Sequence, residues 1–512
     1  MAVNPFARKY RNIGQIIQEQ RALALANNQP ILPIRMIIAR RALQDRRYDE
    51  PIVSEIAAVY VGDGGAPPNP AERDIETYPN NQQNTVKIKA TSPAADPMTY
   101  PLLFFNGEPG WHTQLPRNPP PGEQRRQGAR AANPRQRLSL NEFYAFRLAV
   151  RDPFSTIHRS KLLFQQYLVD AFTKIEGNEL EFIRRNQAQL RVDSYQGLMD
   201  HIHARGEQEH ANVGRIVILP STFQGSERNM NQNYHDAMTI VRKYGKPDIF
   251  LTMTAKPRWP EVIQNLLPHQ QPSDQPGIII HVFHLKLQEL LRDILERNLL
   301  GHVKAYVYTI EFQKRGLPHT HMIIFLSEAD KPWDAQDVDR FVSAEIPDPR
   351  TNKDLHNMVK KHMIHGPCGD LDPHCPCMAD RKCSKNFPKP LKQHTDFNVD
   401  GYPQYKRRGQ HPAQLRHNLV NDSWVVPYNP HLLMKFNCHM NVEVCTSVKS
   451  VKYIFKYIHK GSDCAHVEIR ENTINHDEIL QYLNARYIGP HHAVFRILQY
   501  KFHDESHTVL RL

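Results

Sequence analysis

The stretch from Val303 to Leu326 constrains the fold more than any other. Val303-Lys-Ala-Tyr-Val-Tyr-Thr-Ile310 is rich in β-branched and aromatic residues and runs on to Glu311-Phe-Gln313. Lys314-Arg-Gly-Leu-Pro318 has the composition of a turn, and His319-Thr-His-Met-Ile-Ile-Phe325 turns apolar again. The pattern predicts an antiparallel hairpin centred on Gly316, with Gln313 opposite His319 and Glu311 opposite His321. Residues i and i+2 of a strand share a face, so both imidazoles project to one side. Directly opposed side chains sit about 5 Å apart, which brings one carboxylate and one amide to the two rings. Such a mixed nitrogen and oxygen set suits Mg²⁺ or Mn²⁺ with coordination positions left open. An H-x-H alone is usually an accident of a half-buried strand. The apolar run, the turn glycine and the acidic partner together weigh against that bland reading.

Further strands are expected at Glu55–Val61, Arg215–Leu219 and Ile249–Thr254. Helical spacing marks Asn141–Leu148, Leu162–Ile175 and Val282 to about Arg297, the last with Phe283, Leu287, Leu290, Leu291 and Ile294 on its buried side. Strands interrupted by long helices predict an α+β fold, with a central antiparallel sheet and flanking helices. The chain divides into a mixed region 1–111, a Pro/Arg-rich linker 112–137, a helical region 138–215 and a first core segment 216–349. A Cys/His-rich insertion follows at 350–425, and 426–512 completes the core.

Val451-Lys-Tyr-Ile-Phe-Lys-Tyr-Ile-His-Lys460 reads as a helix stopped by Gly461. Tyr453 and Tyr457 fall on one face, and Lys456 and Lys460 each follow a tyrosine by three positions. A lysine there can hold a phosphate and ease loss of the phenolic proton. An amphipathic helix with tyrosines at its rim is the bland alternative. A metal that polarises a phosphate, with phenols able to attack it, amounts to apparatus for nicking and rejoining a DNA strand.

Charge and cysteine usage narrow the setting. Lys and Arg exceed Asp and Glu by 12, and 28 histidines add positive charge as pH falls, so polyanions are expected partners. Seven cysteines in 512 residues do not make a disulfide framework and fit a reducing compartment. No apolar run approaches transmembrane length, so synthesis in the cytosol and work in the nucleus are expected, with no membrane partner. His365, Cys368, Cys377 and Cys383 have spacings compatible with a structural Zn site, although Cys375 and His374 are spare candidates. A loop of reduced cysteines is the alternative. The basic run Lys382 to Lys392 suits a phosphate backbone either way.

With these residues in view, the chain resembles the Rep region of Helitron transposases, rolling-circle transposons of the HUH nuclease class. The resemblance rests on Phe250-Leu-Thr-Met-Thr254, on Glu311-Phe-Gln-Lys-Arg-Gly-Leu-Pro-His-Thr-His321 and on the two-tyrosine helix, in that order. Phe164–Asp170, Val217–Ser221, Lys246–Phe250 and Tyr457–Gly461 also look like that family. It implies that His319 and His321 bind Mg or Mn, with Glu311 favoured over Gln313 as third ligand. It also implies that Tyr453 and Tyr457 are nucleophiles forming a 5′-phosphotyrosine on single-stranded DNA at transposon ends. The family continues into a helicase, yet no G-x-x-x-x-G-K-[ST] occurs here. Unwinding is therefore expected from a missing C-terminal region or a helicase in trans. A catalytically silent or non-autonomous DNA-binding remnant is the alternative reading.

Overall fold

The structure is a computed structural model that describes residues 58–59, 75–77, 86–117, 137–151, 154–187, 217–312, 316–396, 403–415, 418–446, 477–483 and 486–510. It is a mixed α and β protein of two compact units. Among the described residues no helix is long and apolar enough to cross a membrane.

The first unit comprises residues up to Leu219 together with Asp274–Gly277 and Asp463–Gln499. Its longest helix, Leu162–Arg185, extends the sequence-predicted segment by almost three turns. The helix Leu140–Leu148 starts at Ser139, whose hydroxyl accepts from the Glu142 N–H while the Glu142 carboxylate accepts from the Ser139 N–H. That reciprocal pair satisfies two N–H groups the helix leaves orphaned. Inside, Lys174 pairs with Asp96 at 2.5 Å, and Arg486 pairs with fully buried Glu176. Of the expected strand at Glu55–Val61, Ala58–Val59 pairs antiparallel with Tyr487–Ile488.

The expectation of a strand at Arg215–Leu219 is corrected. Val217 makes only an isolated bridge to Asp477, and Arg215 lies outside the described residues. The Gln187 amide takes the place of a neighbouring strand: it donates to the Ile218 carbonyl at 3.0 Å and accepts from the Ile218 N–H at 2.8 Å. The Glu478 carboxylate accepts from the next N–H, that of Leu219. Side chains satisfy this buried backbone, so apolar residues alone did not specify a ladder.

The second unit holds Pro220–Ser273, Ile278–Ser462 and Tyr500–Leu512. Its helix α1, Glu227–Tyr244, leads to strand β1, Ile249–Thr254; helix α2, Pro276–Leu295, leads to β2, Val303–Phe312, and β3, Pro318–Leu326. A short hairpin follows, β4 at Met378–Ala379 and β5 at Lys382–Cys383, and then β6, Val442–Val444, and β7, His503–Glu505. The five longer-range partners form one antiparallel sheet in the order β6–β1–β3–β2–β7. Helix α2 begins six positions before the expected Val282, and of its expected inner residues Phe283, Leu287, Leu290 and Ile294 are buried while Leu291 is half-buried.

Strand β3 is central and buried along its whole length. On one of its faces lie His319, His321, Ile323 and Phe325, and the pairing register aligns them with Thr254, Thr252 and Phe250 of β1 and with Glu311, Thr309, Val307 and Ala305 of β2. The apolar end of this face is covered by α1, whose Ala237, Ile240 and Val241 cluster with Phe250, Ala305, Val307, Ile323 and Phe325. Burying each large apolar side chain stabilises by about 1.5–3 kcal/mol. The other end of the same face is polar, and it is there that the histidines and Glu311 stand.

Candidate active site and metal centre

The hairpin register differs from the sequence expectation by two residues. Glu311 lies opposite His319 rather than His321, and Phe312 pairs with Pro318. Composition marks the turn but not its centre, which sits one position earlier than Gly316. The side-chain period of two means that such an offset leaves every residue on its original face. Glu311 therefore stands diagonally across from His321, with its carboxylate oxygen 3.3 Å from His321 Nε2. Gln313, Tyr453, Lys456, Tyr457 and Lys460 lie outside the described residues.

The two imidazoles meet edge to face with ring centroids 4.4 Å apart. His319 Nδ1 is 2.5 Å from Thr254 Oγ1, the hydroxyl of the residue directly opposite on β1. When Nδ1 carries the proton and donates to this hydroxyl, Nε2 presents its lone pair for coordination. His319 and His321 are 7% and 3% exposed, so each ring's orientation is set by packing as well as by bonding. Two imidazoles and one carboxylate fit a divalent ion that completes its shell with water or phosphate oxygens.

This polar patch forms the floor of a cavity of about 880 Å³, a size typical of ligand clefts. Phe250, Thr252, Glu311, His319 and His321 line it from the sheet. Lys385, Phe387, Lys389 and Arg407 line it from the segment that follows the cysteines, His439 from the approach to β6 and Glu443 from β6 itself. Burial lowers the pKa of Lys389 and pushes that of Arg407 down to about 10. Arg407 nonetheless donates to the Asp422 and Val425 carbonyls at 2.5 and 2.7 Å, tying the wall together. Burial raises the pKa of Glu443 and lowers that of His439. Sequence reading missed Arg407, His439 and Glu443 because they come from separate segments; only the basic run Lys382 to Lys392 signalled this wall.

A second group lies beside the cavity. One ligand atom each from His365, Cys368, Cys377 and Cys383 falls within 4.8 Å of the others, and among the described residues this is the one His/Cys/Asp/Glu group so closely gathered. The β4–β5 hairpin explains the approach of Cys377 to Cys383: Asp380 and Arg381 both have positive φ, as a two-residue type I′ turn requires. Cys383 Sγ is 3.3 Å from His365 Nε2 and accepts from the Lys385 N–H at 3.4 Å. Cys368 and Cys383 are buried within a hydrophobic cluster that includes Val359, Met363, Trp424 and Val425. Four soft and borderline donors at this spacing fit a tetrahedral ion such as Zn²⁺. The spare candidates Cys375 and His374 are not in the group.

Comparison with known families bears on the same region. No curated protein matches the chain. Residues 143–324, which include β1, β2 and the histidine pair, match the family described as the Helitron helicase-like domain at N-terminus. Over those residues the chain carries the Helitron-like N-terminal domain.

Proposed function

We propose that the protein nicks and transfers single-stranded DNA in Helitron-type rolling-circle transposition, using a divalent metal and a tyrosine nucleophile. The observation that carries this reading is the polar end of the sheet face, where His319, His321 and Glu311 converge at the floor of a cavity with basic walls. The arrangement is of the HUH nuclease kind, and the Helitron-like domain match over the same strands supports it.

His319, His321 and Glu311 would hold Mg²⁺ or Mn²⁺, which supplies a Lewis acid for the scissile phosphate. Thr254 fixes the His319 ring through Nδ1. Lys385 and Lys389 hold the phosphate backbone against the cavity wall, which Arg407 ties together from within. A phenol of Tyr453 or Tyr457 attacks the phosphorus; the phenolic proton is lost, a 5′-phosphotyrosine forms and a 3′-hydroxyl leaves. Attack by a 3′-hydroxyl reverses the step, so rejoining needs no ATP. Single-stranded transposon ends are the substrate, a helicase acting in the same pathway supplies them, and the nucleus is where they occur.

The test is incubation with labelled single-stranded oligonucleotides and Mn²⁺ or Mg²⁺, followed by denaturing electrophoresis. The expected result is a metal-dependent covalent protein–DNA adduct. A protein that binds the strands but forms no adduct with any transposon-end sequence in either ion refutes the reading.

A further inference from the structure

The segment after Cys383 belongs to two structures at once. It starts at a member of the His365, Cys368, Cys377 and Cys383 group, and its Lys385, Phe387, Lys389 and Pro390 line the cavity above the histidine pair. His365 is likewise both a member of the group and a lining residue. The two are mechanically joined. The Phe387 ring stacks on the His365 ring with centroids 4.3 Å apart, and Lys389 Nζ lies 5.2 Å over the Phe387 ring. The Ser384 N–H donates to the Cys377 carbonyl and the Asn386 N–H to the Cys383 carbonyl, while the Lys385 N–H points at Cys383 Sγ. Further along, the Lys389 N–H donates to the Ser423 carbonyl at 2.8 Å. An N–H aimed at a cysteine sulfur is the kind of outer contact that supports a thiolate ligand.

We propose that a zinc ion held by His365, Cys368, Cys377 and Cys383 fixes the strap Cys383–Pro390 as a wall of the cavity, where Lys385 and Lys389 grip the phosphates of a single DNA strand running to the histidine pair. The proposal rests on the single-strand reading above and adds a second metal with a different task. Zinc displaces the protons of the three thiols and closes a ring of chain from His365 to Cys383. The cysteines thus contribute to nucleic-acid affinity without touching the strand. A cluster of reduced cysteines acting only as core would hold the strap no differently with or without metal.

The test uses the full chain produced with zinc in the medium, and reads bound zinc by elemental analysis and affinity for a fluorescent dT oligonucleotide with no Mg²⁺ or Mn²⁺ added. The wild type is expected to hold one zinc per chain. The K385A/K389A variant is expected to keep the zinc and to bind less tightly, with a plot of log affinity against log salt flatter by about 1.4 for two lost phosphate contacts on a single strand. C377S is expected to lose the zinc and to show a similar flattening, whereas C375S, at a cysteine outside the group, keeps both properties. A wild type without zinc overturns the proposal, as does an unchanged salt slope in K385A/K389A or in a folded, zinc-free C377S. Binding is read without the catalytic ion, so a protein that passes here yet forms no adduct in Mn²⁺ removes the nicking reading alone.

Discussion

The contact between Thr254 and His319 gives the sharpest handle on the site. Thr254→Val keeps the β-branched shape favoured in a strand and deletes only the hydroxyl that sits 2.5 Å from His319 Nδ1. Thr254 faces the cavity side of β1, opposite His319, so no core methyl group is lost. A hydrogen bond of this kind contributes about 0.5–1.5 kcal/mol to folding, so the variant should remain folded at room temperature. Its larger effect falls on the metal. Without the hydroxyl the ring loses both its tautomer preference and its rotational stop, and the loss of such an outer partner typically costs about 10- to 100-fold in metal affinity or activity. That corresponds to roughly 1.4–2.7 kcal/mol. The assay is adduct formation over a Mn²⁺ titration. The half-saturating Mn²⁺ concentration should rise by about that factor, and saturating metal should recover part of the rate. A Thr254→Val protein with unchanged metal dependence would show that the contact does not orient a ligand.

Three further outcomes are expected. His319→Ala or His321→Ala should abolish the covalent adduct but change single-strand affinity less than about threefold in gel-shift titrations, because affinity comes mainly from the lysines and arginines; equal loss of both in a folded variant counts against the assignment. Tyr453→Phe and Tyr457→Phe should each leave some adduct on denaturing gels, and the double variant none, since phenylalanine removes only the nucleophilic oxygen; adduct surviving in the double variant would exclude both. Burial pushes the pKa of His362 down to about 4 from an ordinary 6.5, with its Nε2 2.9 Å from Asn437 Oδ1. Unfolding releases it to bind a proton, so stability is intact above pH 6.5 and declines as pH falls toward 4; urea midpoints for His362→Gln should fall less steeply across that window.

Much of the centre of the second unit was legible in the sequence because local rules governed it. The two-residue period puts His319 and His321 on one face whatever the register, and the apolar run that follows them demands a buried strand. Turn composition located the bend after Phe312 but could not fix which residues faced each other across it, so Glu311 came out two residues away from its expected partner. Edge strands were harder to read. Val442–Val444 and His503–Glu505 are three residues each, and His-Asp-Glu carries no strand propensity; the position comes from pairing with β2. At Arg215–Leu219 the apolar signal was real, yet the Gln187 and Glu478 side chains took up the backbone groups that a strand would have paired. The four residues of the Cys/His group were singled out by spacing, whereas their nearness to the cavity depends on a turn of positive φ and on the stacking of Phe387.

The position of β3 in its sheet also sets a gradient of rigidity across the site. His319 and His321 ride on a strand bonded on both sides, so their amides exchange with solvent only when the core of the sheet opens. Thr252 and Thr254 are next in this order, while Asn441, His439 and His503 arrive on or beside short outer strands that can separate at far lower cost. His319 and His321 thus sit where the protein opens least often, and the part of the cavity lining supplied by His439 and Asn441 is drawn from the parts that open most easily.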